Sequence, residues 1–166
     1  MHLDPTLIRA VALGLLLVLV FGSRLTKGSV RQTQDGLVFG TKPVILWTRI
    51  IAVPGFLLAV VLVAMSRGSQ VPWIFYAIVA VAIAFLLYQM PGTIILTPTA
   101  VTQKFWFQPT KVIQYNEVMA LQSAQAGRAI RVLGDNRVKI THSMNHCAAA
   151  EFQQELEHRT SKRLIT

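Results

Sequence analysis

The sequence is poor in cysteine, in acidic residues and in the motifs that carry catalysis. Cys147 is the only cysteine, so the chain cannot form an internal disulfide. It has no phosphate-cradling glycine loop, and its seven acidic residues include no evident pair for acid–base chemistry. No charged residue lies near the middle of an apolar stretch, where transporters keep their ion sites. The sequence therefore gives no positive support for an enzyme or a transporter, and it predicts no cofactor and no metal.

Long apolar stretches fill the first 90 residues instead. The predicted membrane spans cover about 7–25, 44–65 and 71–90, since a bilayer core needs roughly 20 apolar helical residues. The second span has one interruption, Arg49, near its start. The third has no charge and carries aromatic residues near both ends, as membrane-interface belts do. The rest of the chain has no comparable run, which predicts a membrane protein with a soluble tail.

The first stretch is shorter than the others and holds Arg9, which can snorkel to the headgroups because it lies one turn from the start. A cleaved signal peptide is the alternative. The leader has no basic cluster, however, and the residues after the apolar run, Gly22, Ser23 and Arg24, offer no convincing cleavage site. A retained span is the favoured prediction.

The Lys and Arg residues beside the spans predict the orientation. Five of them precede or begin the second span, whereas the turn after that span carries one: Arg24, Lys27, Arg31, Lys42 and Arg49 against Arg67. Basic loops are retained in the cytoplasm. We therefore expect the loop 26–43 and the tail 91–166 to be cytoplasmic, with the N-terminus outside.

The formal net charge of +9 is shared between the spans and the tail. Nine basic against five acidic residues leave the tail at +4. That balance suits the face of an anionic membrane better than it suits a nucleic-acid reader. Membrane lipids are thus predicted partners, and nucleic acid is not.

The loop 26–43 contains two short extended pieces around Asp35-Gly36, a dipeptide favoured in tight hairpin turns. An isolated hairpin is marginally stable in water. We therefore expect this one to pack on the tail or on a partner.

The tail alternates apolar and polar residues in short runs, as strands do. The predicted strands are TIILT from Thr93, VTQKFWFQ from Val101, and then KVIQY, EVMAL, RAIRVLG and RVKITH. In the second, Val101, Phe105 and Phe107 share one face by the two-residue period, and Trp106 falls on the other. Six short strands close together indicate a sandwich or a barrel.

A helix is predicted after the strands, because the period changes. Asn145 is a suitable cap for a helix through residues 146–163, with Ala149, Phe152 and Leu156 on one stripe. The tail would thus be an antiparallel β unit closed by one amphipathic helix.

The run GTIILTPTAVTQKFWF, the segment VIQYNEVMAL, the run RAIRVLGDNRVKITH and the final helix together resemble a bacterial pleckstrin-homology-like domain, a module found behind membrane spans. The resemblance covers about residues 92–164 and includes no catalytic signature. It implies a small antiparallel barrel or sandwich capped by its C-terminal helix, serving as a binding or scaffolding module. It also implies a bacterial inner-membrane protein.

Basic residues on the late strands are the first candidate contact site. Eukaryotic relatives that bind phosphoinositides carry paired basic residues on the first two strands, where this tail has only Lys104, so that ligand is not supported. A looser group could face anionic lipid, or it could be a solvated outer face: Arg128, Arg131, Arg137 and Lys139. Trp106 is a candidate interface anchor, unless the hairpin of the first loop covers it.

Two further groups have weaker support. His142, His146 and Cys147 could hold a metal or supply a nucleophile, or they could simply be buried. Three pairs of small residues at i, i+4 spacing would let helices approach closely, although alanine-rich spans produce such pairs by chance: Ala10 and Gly14, Gly55 and Ala59, and Ala80 and Ala84.

The sequence therefore predicts three transmembrane helices followed by a pleckstrin-homology-like tail, acting as a non-catalytic accessory or scaffold subunit of a larger membrane complex. An anionic-lipid sensor is the second hypothesis. A small membrane enzyme or transporter built around His142, His146 and Cys147 is the third.

Overall fold

The computed structural model describes Gly14, residues 28–66 and residues 72–165. Its contacts divide the chain into two units. We call Met1–Thr26 with Pro43–Met90 the helical unit, and Lys27–Lys42 with Pro91–Thr166 the β unit. The β unit thus takes chain from both sides of the apolar helices.

The described part of the helical unit contains α1 (Pro43–Trp47), α2 (Val53–Ser66) and α3 (Trp73–Tyr88). A π-helical turn, Thr48–Ala52, joins α1 to α2. Pro54 accounts for this turn, because its ring has no N–H and crowds the carbonyl four residues earlier. The wider bonding pattern is seen where the N–H of Val53 donates to the carbonyl of Thr48, five residues back.

One helical run in the described part of the chain is long and apolar enough to cross a membrane, the 19 residues Pro43–Val61. It overlaps the predicted span 44–65. The predicted span 71–90 corresponds to α3, whose 16 residues extend about 24 Å, less than the roughly 30 Å of a bilayer core. The predicted span 7–25 lies outside the described residues apart from Gly14. Residues 28–66 and 72–165 therefore contain one candidate span and not the further one predicted there.

The shortness of α3 has a local cause at each end. Pro72 is its N-cap, and the chain turns at Gln89 and Met90 before Pro91-Gly92. Proline cannot continue a helical ladder, and the residue before a proline is disfavoured in the helical region. The prediction from apolar composition alone, 71–90, is therefore longer than the observed helix α3.

Arg49 has a structural partner within the helical unit. Its Nη1 donates to the carbonyl of Gln89, the C-cap residue of α3, at 2.8 Å. The last carbonyls of a helix lack intrahelical partners and carry the negative end of the helix dipole. Arg49 therefore ties the start of the candidate span to the end of α3.

The first sheet of the β unit has five antiparallel strands in sequential order. They are β1 (Arg31–Thr33), β2 (Gly36–Phe39), β3 (Thr93–Leu96), β4 (Ala100–Lys104) and β5 (Lys111–Gln114). Strands β2 and β3 are neighbours, with Phe39 opposite Ile94, although α1, α2 and α3 lie between them in the sequence. This pairing places the loop hairpin in the fold of the tail.

The second sheet has four strands in the order β8-β7-β6-β9. They are β6 (Val118–Ala124), β7 (Ala129–Gly134), β8 (Lys139–His142) and β9 (Leu164–Ile165). A 3-10 turn, Tyr115–Glu117, carries the chain from the first sheet to the second. β9 runs parallel to β6, whereas the other pairs are antiparallel.

One apolar core joins both sheets to the C-terminal helix α4 (Ala149–Thr160). Phe39 and Ile94 come from the first sheet, Val132 comes from the second, and Phe152 and Leu156 come from α4. All five are fully buried, and burying a side chain of this size contributes about 1.5–3 kcal/mol. The β unit is therefore a two-sheet sandwich with a helix packed on its core.

The end of the second predicted strand and both ends of the predicted helix are misplaced. β4 ends at Lys104, and residues 106–108 form a bend in which Phe107 is 60% exposed, because Pro109 cannot donate to a ladder. α4 begins at Ala149 and ends at Thr160, not at Arg163. Its N-cap is Ala148, not Asn145, whose carbonyl accepts from the N–H of Lys42.

The hairpin of the loop 26–43 was expected to pack on the tail or on a partner, and Lys27–Lys42 belongs to the β unit. The reason is the ladder between β2 and β3, which buries Phe39. The hairpin turn itself is centred on Gln34 and Asp35, one residue earlier than predicted.

Gly36 is expected to be intolerant of a side chain. Its φ is +133°, and a Cβ there would meet the Leu96 carbonyl oxygen of the paired strand. We expect Gly36→Ala to destabilise the β unit by about 2–3 kcal/mol, measured by amide hydrogen exchange of β2 and β3 in the full chain in detergent.

Gly127→Ala is the matched control. Gly127 also has a positive φ, +80°, but a Cβ there would meet nothing within 4 Å. It should cost about 1 kcal/mol, the cost of placing a side chain in that conformation. Equal losses in the two variants would show that the contact with Leu96 does not matter.

Candidate functional site

The two histidines and the cysteine singled out by the sequence converge in the core of the β unit. His142 ends β8, whereas His146 and Cys147 lie between β8 and α4. All three are at most 3% exposed. The imidazole centroids of His142 and His146 are 5.1 Å apart. The predicted cluster therefore exists as a buried group.

Backbone groups engage both ring nitrogens of His146. The N–H of Ser143 donates to Nδ1 at 3.1 Å, and Nε2 lies 2.8 Å from the carbonyl oxygen of Gly92. Because a carbonyl can only accept, Nε2 carries the proton and the ring is neutral. Neither nitrogen has a lone pair left for a metal or a substrate in this arrangement.

His142 is held by a carbonyl and by aromatic rings. Its Nε2 donates to the carbonyl of Cys147 at 2.9 Å. Its ring stacks on Phe152 with centroids 4.4 Å apart, and Phe39 meets it edge-on at 6.0 Å. The side chain therefore packs as a core aromatic that also satisfies one buried carbonyl.

Burial lowers the pKa of His142 to about 4, and the nearby His146 and Lys42 act in the same direction. Burial also lowers the pKa of His146, against the effect of its hydrogen bonds to Gly92 and Ser143. Both rings are therefore neutral at pH 7. A cation here would lose water without gaining an acidic partner.

The thiol of Cys147 has a backbone partner of its own. Its Sγ donates to the carbonyl of Ser29 at 3.5 Å, and a Cβ at Gly28 would come within 2.5 Å of its own Cβ. Burial raises the pKa of the Cys147 thiol. A thiol with a raised pKa is a poor nucleophile, and the nearest bond of His142 goes to the carbonyl of Cys147, not to the sulfur.

These residues fasten the two places where the chain passes between the units. The N–H of Cys147 donates to the carbonyl of Gly40 at 3.1 Å, just before the chain leaves towards α1. His146 binds Gly92, just after the chain returns. A direct bond of 3.2 Å joins Thr41 Oγ1 to the carbonyl of Pro91. We call residues 40–42, 91–92 and 143–148 the junction clasp.

Metal binding gains no support from the described residues. Among them, no group of three or more His, Cys, Asp and Glu side chains is placed to hold a metal ion. The two histidines of the cluster instead donate hydrogen bonds to the backbone carbonyls of Cys147 and Gly92.

The basic group on the late strands is only partly brought together. Arg131 lies opposite Thr141, and Lys139 lies opposite Leu133, so the two basic residues are diagonal neighbours on the outer face of the second sheet. Arg128 and Arg137 lie in the turns at opposite ends of β7. The structure therefore joins Arg131 with Lys139 and separates the other two.

Trp106 begins the bend after β4 and is 59% exposed. Neither Trp106 nor Phe107 is covered by the hairpin of β1 and β2, which pairs with β3 instead. Phe105 is half-buried against Gly92, where a Cβ would come within 2.9 Å of its ring. We call residues 105–108 the aromatic bend.

The small residues predicted to pack helices are exposed wherever they are described. Gly55 and Ala59 lie on α2, and Ala80 and Ala84 lie on α3. A Cβ at Gly55, or at Gly14 in the first stretch, would meet nothing within 4 Å. Ala10 lies outside the described residues.

Known proteins give no assignment for this chain. No protein-family model matches it, and neither a curated protein nor a solved structure matches it. Its function has to be inferred from its residues and their arrangement.

Sequence reasoning missed the contribution of the junction clasp. It grouped His142, His146 and Cys147 as a possible site or as buried residues, but it gave the two histidines no partner within the chain. The available signal was the position of Pro91-Gly92 at the end of an apolar helix, since carbonyls there have no ladder partner and need a donor.

The neutral histidines predict acid sensitivity. The pKa of His142 is lower in the folded protein than in the unfolded chain. Between about pH 4 and 6.5 the unfolded chain therefore binds more protons than the folded protein, and the free energy of unfolding falls as the pH falls through that window. Lowering the pH from about 7 to about 5 should cost about 2 kcal/mol through His142 alone. Chemical denaturation in detergent at both pH values measures the loss.

His142→Phe keeps the stack on Phe152 and removes the titration, so its own acid-induced loss should be smaller by about the same 2 kcal/mol. His158→Gln, which replaces an exposed histidine of α4, is the matched control. A pH dependence unaltered by His142→Phe would contradict the assignment.

Proposed function

We propose that this chain is a non-catalytic accessory subunit of a larger bacterial inner-membrane complex. Its apolar helices would pack in the membrane part of that complex. Its β unit, which resembles a pleckstrin-homology-like domain, would lie in the cytoplasm as an interaction module. The run Pro43–Val61 would be its main span, accompanied by the apolar segments 7–25 and 71–90.

The observation that carries this proposal is the exposed apolar surface of α2 and α3. Leu58, Val81 and Phe85 are each more than half exposed, and small residues lie exposed between them. In a bilayer, large apolar side chains face lipid, whereas small ones let the backbone of another helix approach. The helices are therefore suited to neighbours that this chain does not itself supply in its described part.

The arrangement of the β unit also favours an interaction module. Two sheets, a shared core and a C-terminal helix agree with the architecture that the resemblance implies. Its buried histidines are used to bind backbone carbonyls. What remains for partners is its surface.

An anionic-lipid sensor remains the second candidate, favoured by the shared face of Arg131 and Lys139. Each basic residue near an anionic surface contributes about 1 kcal/mol. Two such residues give a weak contact, so this face would assist membrane attachment more readily than it would act as a sensor.

Enlarging the small residues of α3 should weaken partner binding. With Ala80 and Ala84 both replaced by Leu, we expect at least about a fivefold loss of co-purifying protein, because a partner helix can no longer approach closely. The measurement is mild-detergent purification of the tagged chain from its native membrane, with quantitative mass spectrometry of proteins held in fixed ratio.

Ile78→Leu is the control, since Ile78 is 60% exposed and lies about 160° around the helix from Ala80 and about 120° from Ala84. It should retain the partner. A wild-type chain that is purified alone, or only with acidic lipid, would refute the accessory role.

A further inference from the structure

The aromatic bend lies at a defined end of the first sheet. Lys104, the last residue of β4, is opposite Thr93, the first residue of β3. Ile94 is in turn opposite Phe39, the last residue of β2. The end of β2, the start of β3 and the end of β4 therefore coincide, and the bend follows directly.

This is also the end at which the chain joins the apolar helices. Three residues separate Phe39 from Pro43, the first residue of the candidate span, and two residues separate Met90 from Thr93, the first residue of β3. The junction clasp holds residues 40–42 and 91–92 to each other and to His146. Phe105 packs against Gly92 at the same place. The bend is therefore fixed beside the two connections to the helices.

The chemistry of the bend is that of a membrane interface. Trp106 and Phe107 are about 60% exposed. Exposing such large apolar side chains to water is unfavourable. Lys104 and Lys111 flank the bend, and no acidic residue lies from β4 to the end of β5. Tryptophan is enriched at the headgroup level of bilayers, and lysine beside it attracts anionic lipid.

We propose that the aromatic bend docks into the headgroup region of the anionic bilayer that holds this chain's own helices, with Trp106 and Phe107 inserted and Lys104 among the lipid phosphates. The proposal depends on the membrane insertion of Pro43–Val61, but not on the accessory role. A protein partner at the bend is the competing outcome that the test must separate.

The experiment uses the full chain in lipid nanodiscs with Trp106 as its only tryptophan, after Trp47→Phe and Trp73→Phe. We expect blue-shifted emission, quenching by lipid that carries a spin label high on its acyl chain, and loss of at least about half of the quenching by aqueous acrylamide. Phosphatidylglycerol in the disc should strengthen all three effects, and Lys104→Gln should reduce that gain.

The matched control places the single tryptophan at Thr99, with Trp106→Phe added. Thr99 is exposed at the opposite end of β4, about 17 Å away along five residues. It should remain open to acrylamide and unaffected by the labelled lipid. Equal behaviour of the two positions would overturn the proposal.

A Trp106 that stays open to acrylamide in the nanodisc, and becomes protected only when a co-purified protein is added, would also overturn it in favour of a protein partner. Incorporation into the disc is scored separately, by flotation. A chain that inserts without burying Trp106 refutes the docking alone, whereas a chain that does not float with lipid refutes the membrane insertion in the proposed function as well.

Discussion

The fold of the β unit depends on the ladder between β2 and β3, strands that lie on either side of the apolar helices in the sequence. Phe39 reaches the centre of the core only through this pairing. Without β2, the strand β3 would leave an unpaired edge. The sandwich is therefore complete only after the intervening helices have been made, so the β unit cannot finish folding before residues 43–90 have been synthesised.

The junction clasp satisfies two backbone carbonyls where the chain returns from the helices to β3. Pro91 and Gly92 precede β3, so their carbonyls have no strand partner, and an unpaired buried carbonyl costs about 1–3 kcal/mol. His146 supplies a donor to Gly92, and Thr41 supplies one to Pro91. An apolar residue of similar size at 146 would pack but would leave the Gly92 carbonyl unsatisfied. A neutral histidine both packs in the core and donates a hydrogen bond to the Gly92 carbonyl, but its protonation in acid destabilises the fold.

Short-range sequence patterns predicted the individual strands and helices better than they predicted which strands pair with each other. Alternation located the strands of the tail, and the 3.6-residue period placed Phe152 and Leu156 on the buried face of α4. The ladder between β2 and β3 could not be predicted, because pairing between segments separated by three helices leaves no local signal. The start of α4 was misplaced for a related reason, since the backbone of residues 145–147 is bonded to Gly40 and Lys42. The role of His146 follows from another distant group, the carbonyl of Gly92, whereas His142 binds the nearby carbonyl of Cys147.

The position of the aromatic bend beside the junction clasp bears on what the bend can contribute. Two exposed aromatic side chains bind a bilayer weakly, because each buries only part of its surface. A chain already anchored by a span, however, presents them to the lipid at a high effective concentration, so that even a weak contact is occupied. Docking would then orient the β unit rather than recruit it. It would fix the direction of the outer face of the second sheet, where Arg131 and Lys139 lie, and so select which partners that face can meet.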